Sequence, residues 1–518
     1  MQKITFLMTS DTHGYWLDRP NQAELSLLNT AATLKLLQKE ADHPTLSIDL
    51  GDFIQGSAFA TYCSQIAEDG SVFAKAMNEL AYDVQVIGNH EFNFGAPYRD
   101  KILKQLNAPI LCSNIVVADT EEPALGKAYQ VFEVEGIRVG IIGTTTHYIP
   151  HWELPQHYEG LAFKDAFVTT QHYAKLLRPQ VDVLVVAYHG GYESDLVTGQ
   201  PLEELTGENQ GARMLAEIPE IDVLLTGHQH RLINQAVNQA WTVQAGFAGE
   251  RVASVTITLD NKKIVHLTGE LHETSLDGAD QAIAAVLQPE LAEGEQWLKQ
   301  VLGHANLDLP VSDAFEARLT GSPFVELLNQ IQLKETGADF SGVTLINESF
   351  VKFRGPVTNE ILLEVYPYYN RIAKVQLTGQ DIYDIVEFNL EYLTLDEAGA
   401  IQVNPEYIYP KPRHYNYDLF SGLKLVANLS RPFGQRIEAL IDERYQLPID
   451  KAKTYTMAVS QYRAVGGGDY KTYTPDKIVT ITECDIASRL RDALADYTAE
   501  DWVLINENYR HLDWITEA

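Results

Sequence analysis

The first half of the chain alternates short apolar runs, often β-branched, with longer amphipathic stretches. Such runs predict buried strands, and apolar residues recurring every three or four positions predict helices. Because strands and helices alternate, we expect a layered α/β architecture. The predicted strands lie at 4–8, 46–50, 84–87, 139–142, 183–187 and 223–225, and the clearest helices lie at 23–39 and 72–80.

The pattern changes near residue 240. The segments 241–245 and 251–259 alternate with period two, so we expect antiparallel strands to close the first domain. A polar, helix-favouring stretch from 277 to 302, interrupted by Pro289, is predicted to connect two domains. The expected division is a first domain, a connecting helix and a second domain at 1–275, 276–305 and 306–518.

The second domain is also predicted to be α/β. Its pattern indicates a helix at 323–336, a strand at 343–346 and a strand–helix unit at 374–393. It ends in β-rich segments at 419–428, 436–442 and 454–460.

The composition excludes several classes of partner. The chain has 518 residues, 45% of them hydrophobic, which is typical of a globular protein and allows two hydrophobic cores. With 39 basic and 71 acidic residues, the formal charge is −32. Because this charge repels phosphate backbones and acidic lipid, we expect neither a nucleic-acid polymer nor a membrane as partner. The oligomeric state stays open.

The cysteines and the first residues of the chain indicate the cellular location to expect. Cys63, Cys112 and Cys484 are widely spaced and form no CxxC pair, so neither a disulfide framework nor a thiolate zinc site is expected. All three are predicted to be buried thiols. The first residues lack the apolar run of about 7–15 that a secretory signal needs. We therefore expect a soluble, cytoplasmic protein.

Five predicted strands of the first half end in residues that bind metals. Ligands of open α/β sheets bind beyond the carboxyl ends of the strands, so these side chains are expected to converge. Residues two apart in an extended chain point the same way, which lets one strand end supply two ligands. The candidate ligands are Asp11, His13, Asp52, Asn89, His189, His228 and His230.

This mixture of imidazole, carboxylate and amide suits Mn, Zn, Fe, Co or Ni. Seven ligands exceed one tetrahedral site and suit two metals about 3.5–4 Å apart that share a carboxylate. Asp52 is the expected bridge. Two divalent cations balanced by Asp11, Asp52 and a bridging hydroxide keep about one positive charge, which suits a phosphate ester.

The strand-end motifs Asp-x-His-Gly, Gly-Asp, Gly-Asn-His-Glu, a lone His and Gly-His-x-His resemble those of the calcineurin-like metallophosphoesterases. The whole chain resembles their branch of 5′-nucleotidases, UDP-sugar hydrolases and 2′,3′-cyclic-nucleotide phosphodiesterases. The resemblance implies an N-terminal four-layer αββα sandwich and a C-terminal α/β substrate domain. It also implies hydrolysis of nucleotide phosphate esters by attack of a metal-bridging hydroxide.

The resemblance assigns the ligands by position. One metal would use Asp11, His13, Asp52 and His230, and the other Asp52, Asn89, His189 and His228. His90 would bind phosphate in the transition state and assist the leaving alkoxide. The family usually has an aspartate three residues after this histidine, whereas this chain has Asn93, which accepts the imidazole N–H but supplies no charge.

In the second domain the family holds a nucleobase between two aromatic rings. The similar segments here place Phe420 and Tyr462 in those positions, with Asp469 available for ribose hydroxyls. The family's Asn-x-Gly-Gly-x-Arg stretch is replaced by a segment from Asn347 to Arg354 that has no Gly-Gly. The remaining candidates for substrate binding are Asn347, Lys352, Arg354 and Arg371.

Three alternatives stay open. The same metals could hydrolyse a 2′,3′-cyclic nucleotide, a UDP-sugar or a non-nucleotide phosphate. The protein could be a non-catalytic nucleotide-binding protein with structural metals, although such sites are usually coordinatively closed. A polynucleotide phosphatase or nuclease conflicts with the acidic charge and with the lack of a basic stripe.

Overall fold

The computed structural model describes residues 1–17, 25–276, 278–368, 370–409 and 412–515. Contacts divide the chain into two compact units, Met1–Trp297 and Leu298–Ala518. Across the described ranges, no helix combines the length and the apolar character needed to span a bilayer.

The first unit is built on strands β1 to β14. In chain order these are Gln2–Thr9, Thr45–Asp49, Val84–Val86, Ile110–Leu111, Ile115–Val117, Tyr129–Val134, Ile137–Thr145, Leu161–Phe163, Val183–His189, Val223–Thr226, Leu232–Val237, Ala240–Ala245, Arg251–Asp260 and Lys263–Glu273. Helices α1 to α7 are Leu27–Glu40, Ala58–Gln65, Ser71–Leu80, Ala96–Leu103, Ala166–Leu177, Gly211–Glu217 and Gln281–Leu298. Short 3-10 turns lie at His90–Phe92, Ile149–His151, Pro155–His157 and Arg178–Gln180.

Two six-stranded sheets form the centre of this unit, in the orders β14-β13-β1-β2-β3-β4 and β11-β12-β10-β9-β7-β6. Strands β1 to β4 run parallel, as do β7, β9, β10 and β12. Side chains of both sheets, such as Phe6 and Val185, share one buried core. Helices α1 to α3 pack with one further apolar cluster, and α5 and α6 with another. The fold is therefore the expected four-layer αββα sandwich.

The predicted strands of the first unit all form. The helix predicted at 23–39 is α1, and its predicted start at residues 23 and 24 lies outside the described residues. The interruption predicted at Pro289 was wrong, because α7 continues through it. Ile283, Leu287 and Leu291 of α7 are buried in the first unit's core, and this packing outweighs the hydrogen bond that proline removes.

The second unit contains strands β15 to β27. These are Val301–Ala305, Phe340–Thr344, Gly355–Thr358, Arg371–Thr378, Leu393–Leu395, Ile401–Val403, Asp418–Ser421, Leu423–Asn428, Ile437–Asp442, Leu447–Pro448, Thr454–Ser460, Ile478–Asp485 and Leu512–Ile515. Helices α8 to α14 are Ala314–Thr320, Pro323–Thr336, Asn359–Val365, Gly379–Asn389, Gln461–Ala464, Ile486–Asp496 and Ala499–Glu507. Its 3-10 turns are Glu348–Lys352, Leu390–Tyr392, Pro405–Tyr407, His414–Asn416, Gly467–Asp469 and Pro475–Lys477.

The larger sheet of the second unit has the order β21-β16-β25-β18-β26, and a four-stranded sheet has the order β24-β23-β22-β27. The stretch predicted as a connection, 276–305, contains α7, which packs on the first unit, and β15, which pairs with β17 of the second. Cys63 and Cys112 are buried as predicted, but Cys484 is exposed, so that prediction was wrong. Cys484 lies on the edge strand β26, most of whose side chains are not covered.

Candidate functional site

The seven predicted metal ligands lie at the carboxyl ends of parallel strands in the two facing sheets. Asp11 and His13 follow β1, Asp52 follows β2, Asn89 follows β3, His189 ends β9, and His228 and His230 follow β10. Six of the seven, all but Asn89, form together with His90 three overlapping groups, each with all ligand atoms within 4.8 Å of one another. The groups are Asp11, His13 and His230; His13, Asp52 and His90; and Asp52, His189 and His228.

The backbone at this site is strained. Five of the seven residues have left-handed φ angles, between +51° and +70°. Such conformations cost of the order of 1 kcal/mol each for residues other than glycine and cluster at functional sites. Gly88 allows the loops to meet, because a Cβ there would lie 2.1 Å from Oδ1 of Asp52. The five residues are Asp11, His13, Asp52, His228 and His230.

Backbone carbonyls orient two of the histidines. Nδ1 of His13 lies 2.7 Å from the carbonyl oxygen of Gln55, which can only accept, so Nδ1 carries the proton. The lone pair of Nε2 then points into the site, 3.1 Å from Nε2 of His230. Two imidazole nitrogens therefore meet on one side of the site.

The same arrangement holds His189. Its Nδ1 lies 2.6 Å from the carbonyl oxygen of Leu50, so its Nε2 faces inward. That Nε2 is 3.1 Å from Oδ2 of Asp52 and 3.1 Å from Oδ1 of Asn89. A nitrogen lone pair and two oxygens facing one another require a proton or a cation between them.

His228 completes this second group. Its Nε2 is 3.0 Å from a carboxylate oxygen of Glu208, and its Nδ1 is 2.9 Å from Oδ1 of Asn89. Its backbone N–H donates to both carboxylate oxygens of Asp11. The loop after β10 is thus tied to the loop after β1.

The residues fit two divalent cations. Asp11 and Asp52 are almost completely buried, and buried carboxylates need positive charge close by. Oδ2 of Asp52 is buried and lies 3.1 Å from Nε2 of His189. Imidazole nitrogens, carboxylates and an amide oxygen converge on it, which is the donor set expected for two transition-metal ions.

The pKa values show how the site balances charge without ions. Burial acts to raise the pKa of Asp11, but its hydrogen bond with His230 and the charge of His189 lower this pKa to about 2. Burial acts to lower the pKa of His189, but the charge of Asp52 raises it to about 10. Burial and the charge of His230 lower the pKa of His13 to about 3. A proton on His189 thus stands where a cation would supply the charge.

His90 lies beside the predicted ligands Asp52 and His13. Its backbone N–H donates to Oδ1 of Asp52 at 2.7 Å, and its ring is edge-on to that of His13 with centroids 5.1 Å apart. Its Nδ1 is 2.5 Å from Oδ1 of Asn93. Asn93 therefore lies where its amide oxygen can accept the Nδ1 proton of His90.

Two carboxylates near the candidate ligands were not predicted from the sequence. Glu91 is completely buried and accepts the backbone N–H groups of Asp52, Phe53 and Gly88 at 2.9, 2.8 and 2.7 Å. It ties together the loops after β2 and β3, and its place in Gly-Asn-His-Glu was the available signal. Glu208, which contacts His228, lies in a long connection where no motif marks it.

In the second unit, Tyr462 lies on α12, and Asp469 ends the 3-10 turn that follows this helix. Tyr462 has 45% of its surface exposed, and Asp469 forms an ion pair with Arg413, N to O 3.4 Å. The expected open ring of Phe420 is not found. It is only 8% exposed and packs in the unit's core, because β21 is buried along its whole length.

The other four candidates of the second unit lie elsewhere in the chain, and two of them already contact neighbouring residues. Asn347 caps the 3-10 turn Glu348–Lys352, accepting the N–H of Ser349 at 2.8 Å. Lys352 forms an ion pair with Glu364. Arg354 is exposed, and Arg371 is the first residue of β18. Their part in substrate binding stays a prediction.

Comparisons with known proteins agree with this architecture. Residues 4–232 match the family model "Calcineurin-like phosphoesterase", and 301–475 match "5′-nucleotidase, C-terminal domain". A solved structure described as "Putative 5′-Nucleotidase from Staphylococcus aureus" is 32% identical, with a TM-score of 0.88, over 99% of this chain and 100% of that one.

Curated relatives are more distant. A 2′,3′-cyclic-nucleotide 2′-phosphodiesterase/3′-nucleotidase of Haemophilus influenzae is 24% identical over 98% of this chain and 86% of its own. Protein UshA of Escherichia coli is 24% identical over 90% of this chain and 86% of its own. With both domains matched and the ligands gathered at the strand ends, the chain belongs to the 5′-nucleotidase family of calcineurin-like phosphoesterases.

Proposed function

We propose that this protein hydrolyses phosphate esters of nucleotides, with nucleoside 5′-monophosphates as the first substrates to test. Calcineurin-like phosphoesterases use a dinuclear divalent metal centre. The observation that carries the proposal is the gathering of imidazole nitrogens and buried carboxylates at the strand ends, in three groups whose ligand atoms lie within 4.8 Å of one another. Asp11, His13, Asp52 and His230 would hold one ion, and Asp52, Asn89, His189 and His228 the other.

The protein's own groups position the reaction. When bound, the two ions supply positive charge for the phosphate and activate the attacking water. Asn93 holds the Nδ1 proton of His90, which leaves Nε2 of His90 to hold or deliver a proton at the departing oxygen. Glu91 keeps the loops of Asp52 and Gly88 together, so that the ligands stay in place.

The second unit would recognise the nucleoside. Tyr462 offers an exposed ring for stacking a base, and Asp469 offers a carboxylate for ribose hydroxyls. Stacking accepts any base, so specificity among bases is expected to be low. The cytoplasmic location expected from the sequence, and the identity of the metals, stay predictions.

A phosphate-release assay tests this function. Protein treated with EDTA and then supplied with Mn²⁺ should release phosphate from AMP, and the chelated protein should not. Because a relative is described as a 2′,3′-cyclic-nucleotide 2′-phosphodiesterase/3′-nucleotidase, the panel also includes 2′,3′-cyclic AMP, 3′-AMP and UDP-glucose. Binding of AMP without turnover of any of these compounds would favour the non-catalytic alternative.

A further inference from the structure

Behind His90, a line of polar side chains leads away from the metal ligands. Nδ1 of His90 is 2.5 Å from Oδ1 of Asn93, and Nδ2 of Asn93 donates to Oε1 of Glu153. The other oxygen of Glu153, Oε2, lies 2.7 Å from Nδ1 of His157. The Glu153 side chain is only 8% exposed, so these contacts are shielded from solvent.

The chemistry of Glu153 determines which of these side-chain groups donate and which accept hydrogen bonds. A carboxylate only accepts hydrogen bonds, so the Asn93 amide must turn its NH₂ towards Glu153 and its oxygen towards His90. The opposite orientation would set two oxygens face to face and two N–H groups face to face. Glu153 therefore fixes which nitrogen of His90 carries the proton, although it does not touch His90 itself.

Independent contacts hold Glu153 in this place. Its backbone N–H donates to the carbonyl of Ile149 at 3.1 Å. Arg99, which is 3% exposed, donates to the carbonyl of His157 at 3.3 Å and lies 4.6 Å from the ring centroid of Phe92. Since Phe92 ends the 3-10 turn that begins at His90, this anchor fixes the Glu153 segment against the His90 turn.

The geometry points to Glu153 as a positioning residue that orients His90 through the amide of Asn93. This chain has no carboxylate at position 93, but the carboxylate of Glu153 contacts the side chain of Asn93. The inference rests on the proposed function, in which His90 acts at the departing oxygen. Its effect should therefore depend on how much help the leaving group needs.

The first test is Glu153→Gln. A glutamine can accept from Asn93 only if its NH₂ faces Nδ1 of His157, which would then have to give up its proton, so the two contacts compete. We expect kcat for AMP to fall about tenfold with KM changed less than about twofold, since an outer partner typically contributes about 10–100-fold. For p-nitrophenyl phosphate, whose leaving group needs little protonation, kcat should fall by less than about twofold. Equal losses on both substrates would overturn the inference.

The second test places the substitution in an Asn93→Asp background. Aspartate at position 93 sets two carboxylates against each other, which should lower kcat for AMP. Glu153→Gln then restores a donor opposite Asp and should raise kcat in this background, although it lowers kcat in the wild type. A purely structural role predicts a loss in both backgrounds. If Glu153→Gln alone folds poorly, comparing Asn93→Asp with the double variant Asn93→Asp/Glu153→Gln still tests the inference.

The control is Glu159→Gln, an exposed carboxylate in the same segment, which should leave kcat and KM unchanged. Wild-type protein reconstituted with Mn²⁺ that hydrolysed neither AMP nor p-nitrophenyl phosphate would overturn the proposed function. An active wild type in which Glu153→Gln behaves like Glu159→Gln would overturn only the role of Glu153.

Discussion

Each unit buries a polar cluster, and the two clusters differ in whether their atoms satisfy one another. In the first unit, Nε2 of His13 faces Nε2 of His230 at 3.1 Å, and Oδ1 of Asn89 faces ring nitrogens of both His189 and His228 at 3.1 and 2.9 Å. In the second unit, Arg463 makes two hydrogen bonds to Asp418, at 2.8 and 2.9 Å. Its Nη1 and Nη2 also donate to the backbone carbonyls of Gly467 and Tyr415.

This difference distinguishes a polar cluster that binds a ligand from one that stabilises the fold. A buried charge whose hydrogen bonds are complete stabilises the fold and needs nothing more. A buried set of lone pairs and carboxylates that face one another is incomplete, and the missing component is positive charge. The contrast predicts that changes in the two clusters will affect different measurements.

The largest expected effect is on the stability of the second unit. Arg463→Ala would leave Asp418 buried and unpaired, which typically costs about 3–5 kcal/mol. Urea unfolding followed by fluorescence should show this loss. The double variant Arg463→Ala/Asp418→Ala should recover part of it, because no unpaired charge remains. A loss below about 1 kcal/mol would contradict the structural role.

The next largest effect is on activity. Asp52→Asn keeps the shape of the side chain but removes the charge expected to bridge the ions. Loss of an outer partner alone costs about 10–100-fold, so we expect phosphate release from AMP to fall at least about 100-fold. Bound metal, measured by mass spectrometry, should fall with it. The exposed control Asp260→Asn should retain both, and full metal content in Asp52→Asn would argue against the bridge.

A third effect is on the pH dependence of stability. His511 of the second unit lies 3.1 Å from Glu326 and 2.7 Å from Glu443. Burial acts to lower its pKa, but these hydrogen bonds raise it to about 9. Because the folded pKa exceeds the unfolded value, the stabilisation is complete below about pH 6.5 and is lost as the pH rises through about 9.

The size of this stabilisation is at most about 3 kcal/mol, at about 1.4 kcal/mol for each unit of pKa. Urea unfolding at several pH values should show the loss in the wild type and a flatter profile in His511→Gln. If the two profiles ran parallel, His511 would not be the group that titrates.

The smallest effect expected is on substrate affinity. If Tyr462 stacks a base, Tyr462→Ala should raise KM for AMP about tenfold, since stacking contributes about 1–3 kcal/mol. KM for ribose 5-phosphate, which has no base, should not change. Phe420→Leu is the matched control, because its ring is packed in the core and should not affect KM selectively. An unchanged KM for AMP in Tyr462→Ala would remove Tyr462 from the nucleoside site.

The gathering of the candidate metal ligands could be predicted because it follows from local sequence patterns. Asp11, Asp52 and His189 each lie at or just beyond the end of a strand with an unmistakable apolar pattern, and parallel strands bring such ends to one edge. The same rules predicted the inner strands of both sheets, but not the edge strands β4, β6, β11 and β14. The pairing order of the strands and the strained backbone at Asp52 depend on contacts far apart in the chain and could not be predicted in this way.

The failures have equally physical causes. Phe420 was placed by a motif, but β21 is covered on both faces, which a short apolar run cannot reveal. Glu153 and Glu208 lie in irregular connections, where no periodicity fixes the direction of a side chain. Pro289 was given its usual helix-breaking role, which the packing of α7 overrides.

The left-handed conformations at the strand ends have a consequence for how the protein acquires its ions. Packing of the sheets must offset the backbone strain at Asp11, His13, Asp52, His228 and His230, whichever ion is bound. Because this strain lies in the backbone and not in the ligand side chains, we expect one transition metal to replace another at the site without refolding. Which metal occupies it should then follow the supply in the surroundings as much as the affinity of the ligands.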